Sequence, residues 1–173
     1  MGLLNNLFLK KKEAEKADPV VKEDVTIFSP LKGEVLPLSD VKDEAFACGA
    51  LGNGIAVEPV DGKVVSPVNG TVVSIFPTNH ALGIMSEDGA EILIHIGLDT
   101  VKLEGKYFTA YVEQGQSVKK GDTLVTFELD RLREEGYVTQ VPVLIINTPV
   151  YSCIEPLKEG SVGYGDVLLT LKY

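Results

Sequence analysis

Ser66-Pro67-Val68-Asn69-Gly70-Thr71-Val72 repeats the pattern of Ser29-Pro30-Leu31-Lys32-Gly33-Glu34-Val35. In both copies Pro and Gly set a turn directly ahead of a strand. A second echo sets Val118-Lys119-Lys120-Gly121-Asp122-Thr123-Leu124 beside Val162-Gly163-Tyr164-Gly165-Asp166-Val167-Leu168, each with Gly-Asp at a turn before an apolar strand. Between and beyond these echoes the chain runs in short β-branched stretches punctuated by Gly, Pro, Asn and Asp, the texture of many strands joined by tight turns. The reading is an all-β domain, a β-sandwich or barrel-like fold built on a duplicated hybrid motif with short helical turns. Strands are expected over 25–28, 33–37, 54–59, 63–66, 70–75, 81–85, 91–96, 107–110, 123–128, 141–146 and 167–171. Only Leu129 to Glu135 has the look of a helix.

At 173 residues and 45% hydrophobic content, the chain can bury one sizeable core. A single domain over 21–173 is expected, preceded by a flexible tail over 1–20. In the tail, Leu3, Leu4, Leu7, Phe8 and Leu9 precede Lys10, Lys11 and Lys12. That pattern could form a short amphipathic helix making weak peripheral contact with anionic membrane, or simply a solvated tail. No stretch approaches the roughly 18 apolar residues of a membrane span. The net charge of −9 and pI near 4.7 exclude a nucleic-acid role, which needs a face rich in Lys and Arg, and favour protein partners. Two cysteines, Cys48 and Cys153, without a CxxC pair indicate no disulfide framework and fit a cytoplasmic location.

The chain holds two histidines, His80 and His95. In Glu91-Ile92-Leu93-Ile94-His95-Ile96-Gly97 a period of two puts the three isoleucines on one face and Leu93 and His95 on the other. With the isoleucines in the core, His95 points outward, and small Gly97 is expected to leave space beside it. His80 follows Phe76-Pro77-Thr78-Asn79, a turn entering a strand, with Thr78 on the same side as His80. Such a pair suits phosphohistidine chemistry, which needs one imidazole nitrogen as nucleophile, its other nitrogen held as donor, and a second group steadying the phosphoryl oxygens. On the residues alone, two ordinary surface or core histidines remain the alternative.

The segments Thr78-Asn79-His80-Ala81, Ile92-Leu93-Ile94-His95-Ile96-Gly97-Leu98-Asp99-Thr100-Val101 and Glu113-Gln114-Gly115-Gln116-Ser117-Val118-Lys119-Lys120-Gly121-Asp122 resemble the glucose-type IIA family of the bacterial sugar phosphotransferase system. The likeness extends from about Phe28 to Leu171 and includes Gly52-Asn53-Gly54-Ile55-Ala56 and the spacing of the histidines. The resemblance implies that His95 is phosphorylated by the phosphocarrier HPr and passes the group to the IIB domain of a sugar permease, with no cofactor. It implies that His80 stabilises the phosphoryl group and that Thr78 orients His80. Asp99 and the backbones of Gly97 and Val101 would frame the pocket, while Phe46, Phe76, Leu93, Gly97 and Val101 would form the docking surface. Relatives also bind regulatory targets with this face. Glu44, Ala45, Gly49 and Ala50 stand where the family usually has larger aliphatic residues, so partner choice is expected to differ.

Two rivals are weaker. A zinc endopeptidase on a related fold needs a His-x-His element, but Ile96-Gly97 follows His95, so no resident metal is expected and His80 and His95 with Asp99 could bind zinc only weakly. A biotin or lipoyl carrier displays a lysine beside methionine, which Lys32, Lys63, Lys119 and Lys120 lack.

Overall fold

The computed structural model describes residues 20–157 and 159–173. Residues 1–19, carrying nearly all of the tail proposed from the sequence, lie outside that range. The strands in chain order are β1 (Val25–Phe28), β2 (Gly33–Pro37), β3 (Asn53–Pro59), β4 (Lys63–Val65), β5 (Gly70–Ile75), β6 (Ala81–Ser86) and β7 (Glu91–His95). There follow β8 (Phe108–Ala110), β9 (Ser117–Val118), β10 (Thr123–Phe127), β11 (Val141–Ile145), β12 (Cys153–Pro156), β13 (Ser161–Val162) and β14 (Val167–Lys172). They make one antiparallel sheet of eight strands, ordered β13-β2-β3-β11-β7-β6-β5-β9, and two of three, β1-β14-β12 and β4-β10-β8. The fold is mostly β, as expected.

The two sequence echoes are one corner built twice. Phe28 N donates to the Pro67 carbonyl at 3.1 Å, and Val65 N donates to the Pro30 carbonyl at 2.9 Å. Ser29 and Ser66 are buried, and their hydroxyls donate to the carbonyls two residues on, Leu31 and Val68, both at 2.7 Å. The second echo closes each corner, since Ser29 N donates to the Asp166 carbonyl at 2.6 Å and Ser66 N to the Asp122 carbonyl at 2.8 Å. Those two aspartates hold their own turns, accepting from Gly163 N and Lys119 N at 2.7 and 2.8 Å. The buried serine hydroxyls and the backbone N–H groups named here are thereby given partners, which the interior demands.

The main core gathers Ile27, Ile55, Ile84, Ile92, Ile94 and Ile96, all at 0–1% exposure. Burying a side chain of this size stabilises the fold by about 1.5–3 kcal/mol. Strand β7 alternates as its sequence requires, with Ile92 and Ile94 inward and Leu93 and His95 half-buried on the other face. Strand β11 is buried at all its residues. One of its faces meets the main core, and Leu144 on the other joins a second cluster with Val41, Phe46, Ala56 and Leu98. A sheet covered on both faces loses its alternating pattern, which accounts for the unbroken apolar run Val141-Pro142-Val143-Leu144-Ile145.

That second cluster is capped by a helix the sequence reading missed. The expected helix over 129–135 is found as α2 (Leu129–Glu134), but α1 (Glu44–Ala47) precedes it in the chain. Its N-cap is Asp43, whose side chain accepts from Ala45 N at 2.9 Å. Four residues are too few to display a helical period. The missed strands are explained similarly: β9 and β13 have two residues each, and β12 is an exposed edge strand ending in Pro156. Among the described residues no helix is long and apolar enough to cross a membrane.

Candidate functional site

Strands β6 and β7 are adjacent, with Ala81 opposite His95. His80 sits one residue before β6, at the end of the tight connection from β5. Asn79 adopts a left-handed conformation there, φ 57°, and its N–H donates to the Phe76 carbonyl at 2.8 Å. The backbone continues the ladder past the strand ends, as Ile96 N donates to the His80 carbonyl at 2.7 Å. The two imidazoles are therefore brought together, their centroids 4.9 Å apart and their planes nearly perpendicular at 85°.

Each ring is oriented through Nδ1. Thr78 Oγ1 lies 2.5 Å from His80 Nδ1, the pairing expected for Thr78. His95 Nδ1 lies 2.7 Å from the Gly97 carbonyl oxygen. A carbonyl can only accept, so this nitrogen carries the proton and Nε2 is left with its lone pair. Gly97 thus contributes through its backbone. The expectation that its small size opens space beside His95 is corrected: a Cβ there would lie 2.6 Å from Thr100 Cγ2 and 3.2 Å from the Val138 oxygen, and φ is +74°, which favours glycine.

Around the rings, Phe46 packs against His95 at 4.9 Å between centroids, and Phe76 against His80 at 5.5 Å. Phe76 and Val101 are exposed, at 46% and 50%, and Leu93 is half-buried. Phe46 is only 6% exposed, so its contribution is a wall behind the imidazole more than a free docking surface. Asp99 is exposed, left-handed at φ 58°, and its Oδ2 is 3.9 Å from Lys102 Nζ. A solvated pair of that kind adds little stability.

The electrostatics favour neutral rings. His80 is 3% exposed, and burial first, then neighbouring His95, lowers its pKa to about 4. Burial also lowers that of His95, opposed by the Gly97 hydrogen bond and then by the carboxylates of Asp43 and Asp99. Asp43 is a residue that the sequence reading passed over; its N-cap role in α1 brings it near the site. Both imidazoles are neutral at pH 7, so His80 faces His95 as a hydrogen-bonding group, not as a resident cation.

A linkage prediction follows from the depressed value. The unfolded chain takes up the His80 proton near 6.5 while the folded chain resists until about 4, so stability is unaffected above 6.5 and falls as pH drops through this window. The His80 part of the loss between pH 7 and 4.5 is on the order of 2 kcal/mol. Urea unfolding of the wild type and of His80→Gln at the two pH values isolates that part. Equal losses in both proteins would contradict it.

Among the described residues, no group of three His, Cys, Asp or Glu is placed to hold a metal ion. Asp99 does not join the two histidines in such a set.

A family model described as phosphoenolpyruvate-dependent sugar phosphotransferase system, EIIA 1, matches residues 25–151. The "PTS system beta-glucoside-specific EIIBCA component" of Bacillus subtilis (strain 168) is 54% identical over 146 residues, 84% of this chain and 24% of that protein. The protein of the same description from Halalkalibacterium halodurans is 50% identical over 149 residues, 86% of this chain and 23% of that protein. The chain therefore spans about a quarter of the length of these curated relatives. The solved structure of glucose permease IIA from Mycoplasma capricolum superposes with a TM-score of 0.81 at 39% identity, covering 87% of this chain and 97% of that one. With the matched region reaching from β1 past β11 and enclosing both histidines, this chain belongs to the EIIA 1 family of the phosphoenolpyruvate-dependent sugar phosphotransferase system.

Proposed function

We propose that this chain is a cytoplasmic phosphohistidine carrier, with His95 taking a phosphoryl group from HPr and donating it to the cysteine of a permease IIB domain. The observation that carries the reading is the 2.7 Å contact between His95 Nδ1 and the Gly97 carbonyl, which leaves Nε2 as the nucleophile in a ring that is neutral at pH 7. As His95 Nε2 bonds to phosphorus, the bond from phosphorus to the HPr imidazole breaks, and the HPr ring leaves with the electron pair. The His95 ring, still protonated at Nδ1, becomes positively charged. The Gly97 carbonyl and the nearby Asp43 and Asp99 carboxylates stabilise that charge. Donation reverses the sequence: the acceptor sulfur bonds to phosphorus, the Nε2–phosphorus bond breaks, and a neutral imidazole is regained.

His80 serves the phosphoryl oxygens. With Nδ1 accepting from the Thr78 hydroxyl, its Nε2 carries a proton and can donate across the gap between the rings. Phe76, Leu93 and Val101 supply apolar contact around the histidines, with Phe46 behind and Gly97 beneath, in keeping with a transient interface whose centre is apolar. The relatives' names put the IIB domains of β-glucoside and glucose permeases first among acceptors to test.

The experiment is to incubate the chain with phosphoenolpyruvate, enzyme I and HPr, and to measure acid-labile, base-stable phosphate by mass. About one phosphoryl group per chain is expected, mapping to His95. A chain that stays unmodified while HPr is fully phosphorylated would sink the proposal.

A further inference from the structure

Thr100 is fully buried, touches neither imidazole by hydrogen bond, and yet governs the backbone that holds one of them. Its hydroxyl donates to the Ile96 carbonyl at 2.5 Å. Its methyl occupies the space above Gly97, where a Cβ would come within 2.6 Å of it. The peptide joining Ile96 to Gly97 is thus gripped by one side chain from two directions. On either side of that peptide lie the contacts the site needs: Ile96 N donates to the His80 carbonyl at 2.7 Å, and the Gly97 carbonyl accepts from His95 Nδ1 at 2.7 Å.

The segment has reason to need such a grip. From Gly97 to Tyr107, positive φ values occur at Gly97, Asp99, Glu104, Gly105 and Tyr107, of 74°, 58°, 52°, 90° and 76°. For the three that are not glycine, Asp99, Glu104 and Tyr107, backbone in this region persists only where surrounding contacts over-determine it. A glycine at φ +74° is also the residue whose peptides turn most easily. The Gly97 carbonyl lies in the following peptide, whose Leu98 N–H donates to the Val138 carbonyl at 2.9 Å, so Thr100 acts on it through the φ of Gly97, the hinge between the two peptides.

We infer that Thr100 is a positioning residue for His95: its hydroxyl fixes the Ile96–Gly97 peptide and with it the φ of Gly97, which aims the Gly97 carbonyl at Nδ1 and thereby selects the tautomer with a free lone pair on Nε2. The inference rests on the phosphohistidine reading of His95. A merely structural threonine would affect melting temperature when replaced, whereas a positioning one sets the tautomer and the rate as well.

The test uses the full chain labelled with ¹⁵N in its histidines. Imidazole nitrogen shifts at pH 7.5 distinguish the tautomer protonated on Nδ1 from that protonated on Nε2, with no phosphoryl donor present. The wild type and Thr100→Ser, which keeps the hydroxyl, are expected to show the Nδ1-protonated form of His95. Thr100→Val, which keeps the shape and loses the hydroxyl, is expected to show a mixture and to accept phosphoryl groups about tenfold more slowly. Should Thr100→Val fail to fold, Thr100→Ala is read in the same way. A folded hydroxyl-less variant with wild-type shifts and rate overturns the inference, as does a mixed tautomer in Thr100→Ser. A wild type that takes up no phosphoryl group while the tautomer still tracks the hydroxyl leaves the positioning role standing and removes the carrier reading alone.

Discussion

His95→Ala is expected to accept no phosphoryl group from HPr, the stoichiometry falling from about one per chain to none and the rate by at least about 10³-fold. The size of the effect comes from there being no substitute nucleophile. His80, the other imidazole, has Nδ1 held by Thr78 and is buried at 3% exposure, so it cannot advance to a phosphoryl group on a partner as the half-buried His95 can. The substitution should leave the fold intact, because His95 lies on the face of β7 away from the main core. The check is the mass of the incubated protein beside its circular dichroism. Residual phosphate on a folded His95→Ala chain would show that the acceptor is elsewhere.

His80→Gln should divide the two half-reactions. Acceptance is expected to stay within about tenfold of the wild type, since a glutamine amide can still donate a hydrogen bond to a phosphoryl oxygen and the HPr imidazole departs as a neutral group. Donation is expected to fall by about 10²–10³-fold, the usual cost of losing a group that stabilises charge developing in the transition state. A cysteine thiolate approaching the phosphoryl dianion brings negative charge against negative charge. An imidazole can offset this by taking up a proton. Burial and His95 hold His80 near 4 in the free site, but a dianion beside it acts in the opposite sense and draws the proton on. Glutamine has no such response. Single-turnover rates in both directions, with phospho-HPr and then with a purified IIB domain, decide the matter; equal losses in the two directions would refute the division of labour.

The sequence and the structure agree most closely where a short pattern carries a strong local constraint. The paired Ser-Pro and Gly-Asp echoes gave the strands around them almost residue for residue, because each corner pairs its own buried serine hydroxyl and its exposed turn aspartate. The alternation of Glu91 to Gly97 likewise put His95 on the outer face. Harder to read was anything whose cause lies across the fold. The helix of Glu44–Ala47 is held by its Asp43 cap and by burial of Phe46 against Leu144 and Ala56, and neither partner is near in sequence. The resemblance alone put Phe46 in a docking surface, and the structure leaves it 6% exposed. Gly97 read in the strand pattern as space beside His95, while the resemblance gave its backbone a place in the pocket, and its carbonyl lies 2.7 Å from His95 Nδ1. Thr100 offered one usable signal, a hydroxyl residue at the start of a turn after a strand, where reaching back to a carbonyl is common.

Strands β1 and β14 lie side by side and antiparallel, Val25 opposite Leu171. The start of β1 and the finish of β14 thus lie at the same end of a sheet other than the one that bears the histidines. A leash attached there would leave the His80–His95 face uncovered and would act through the effective concentration it sets.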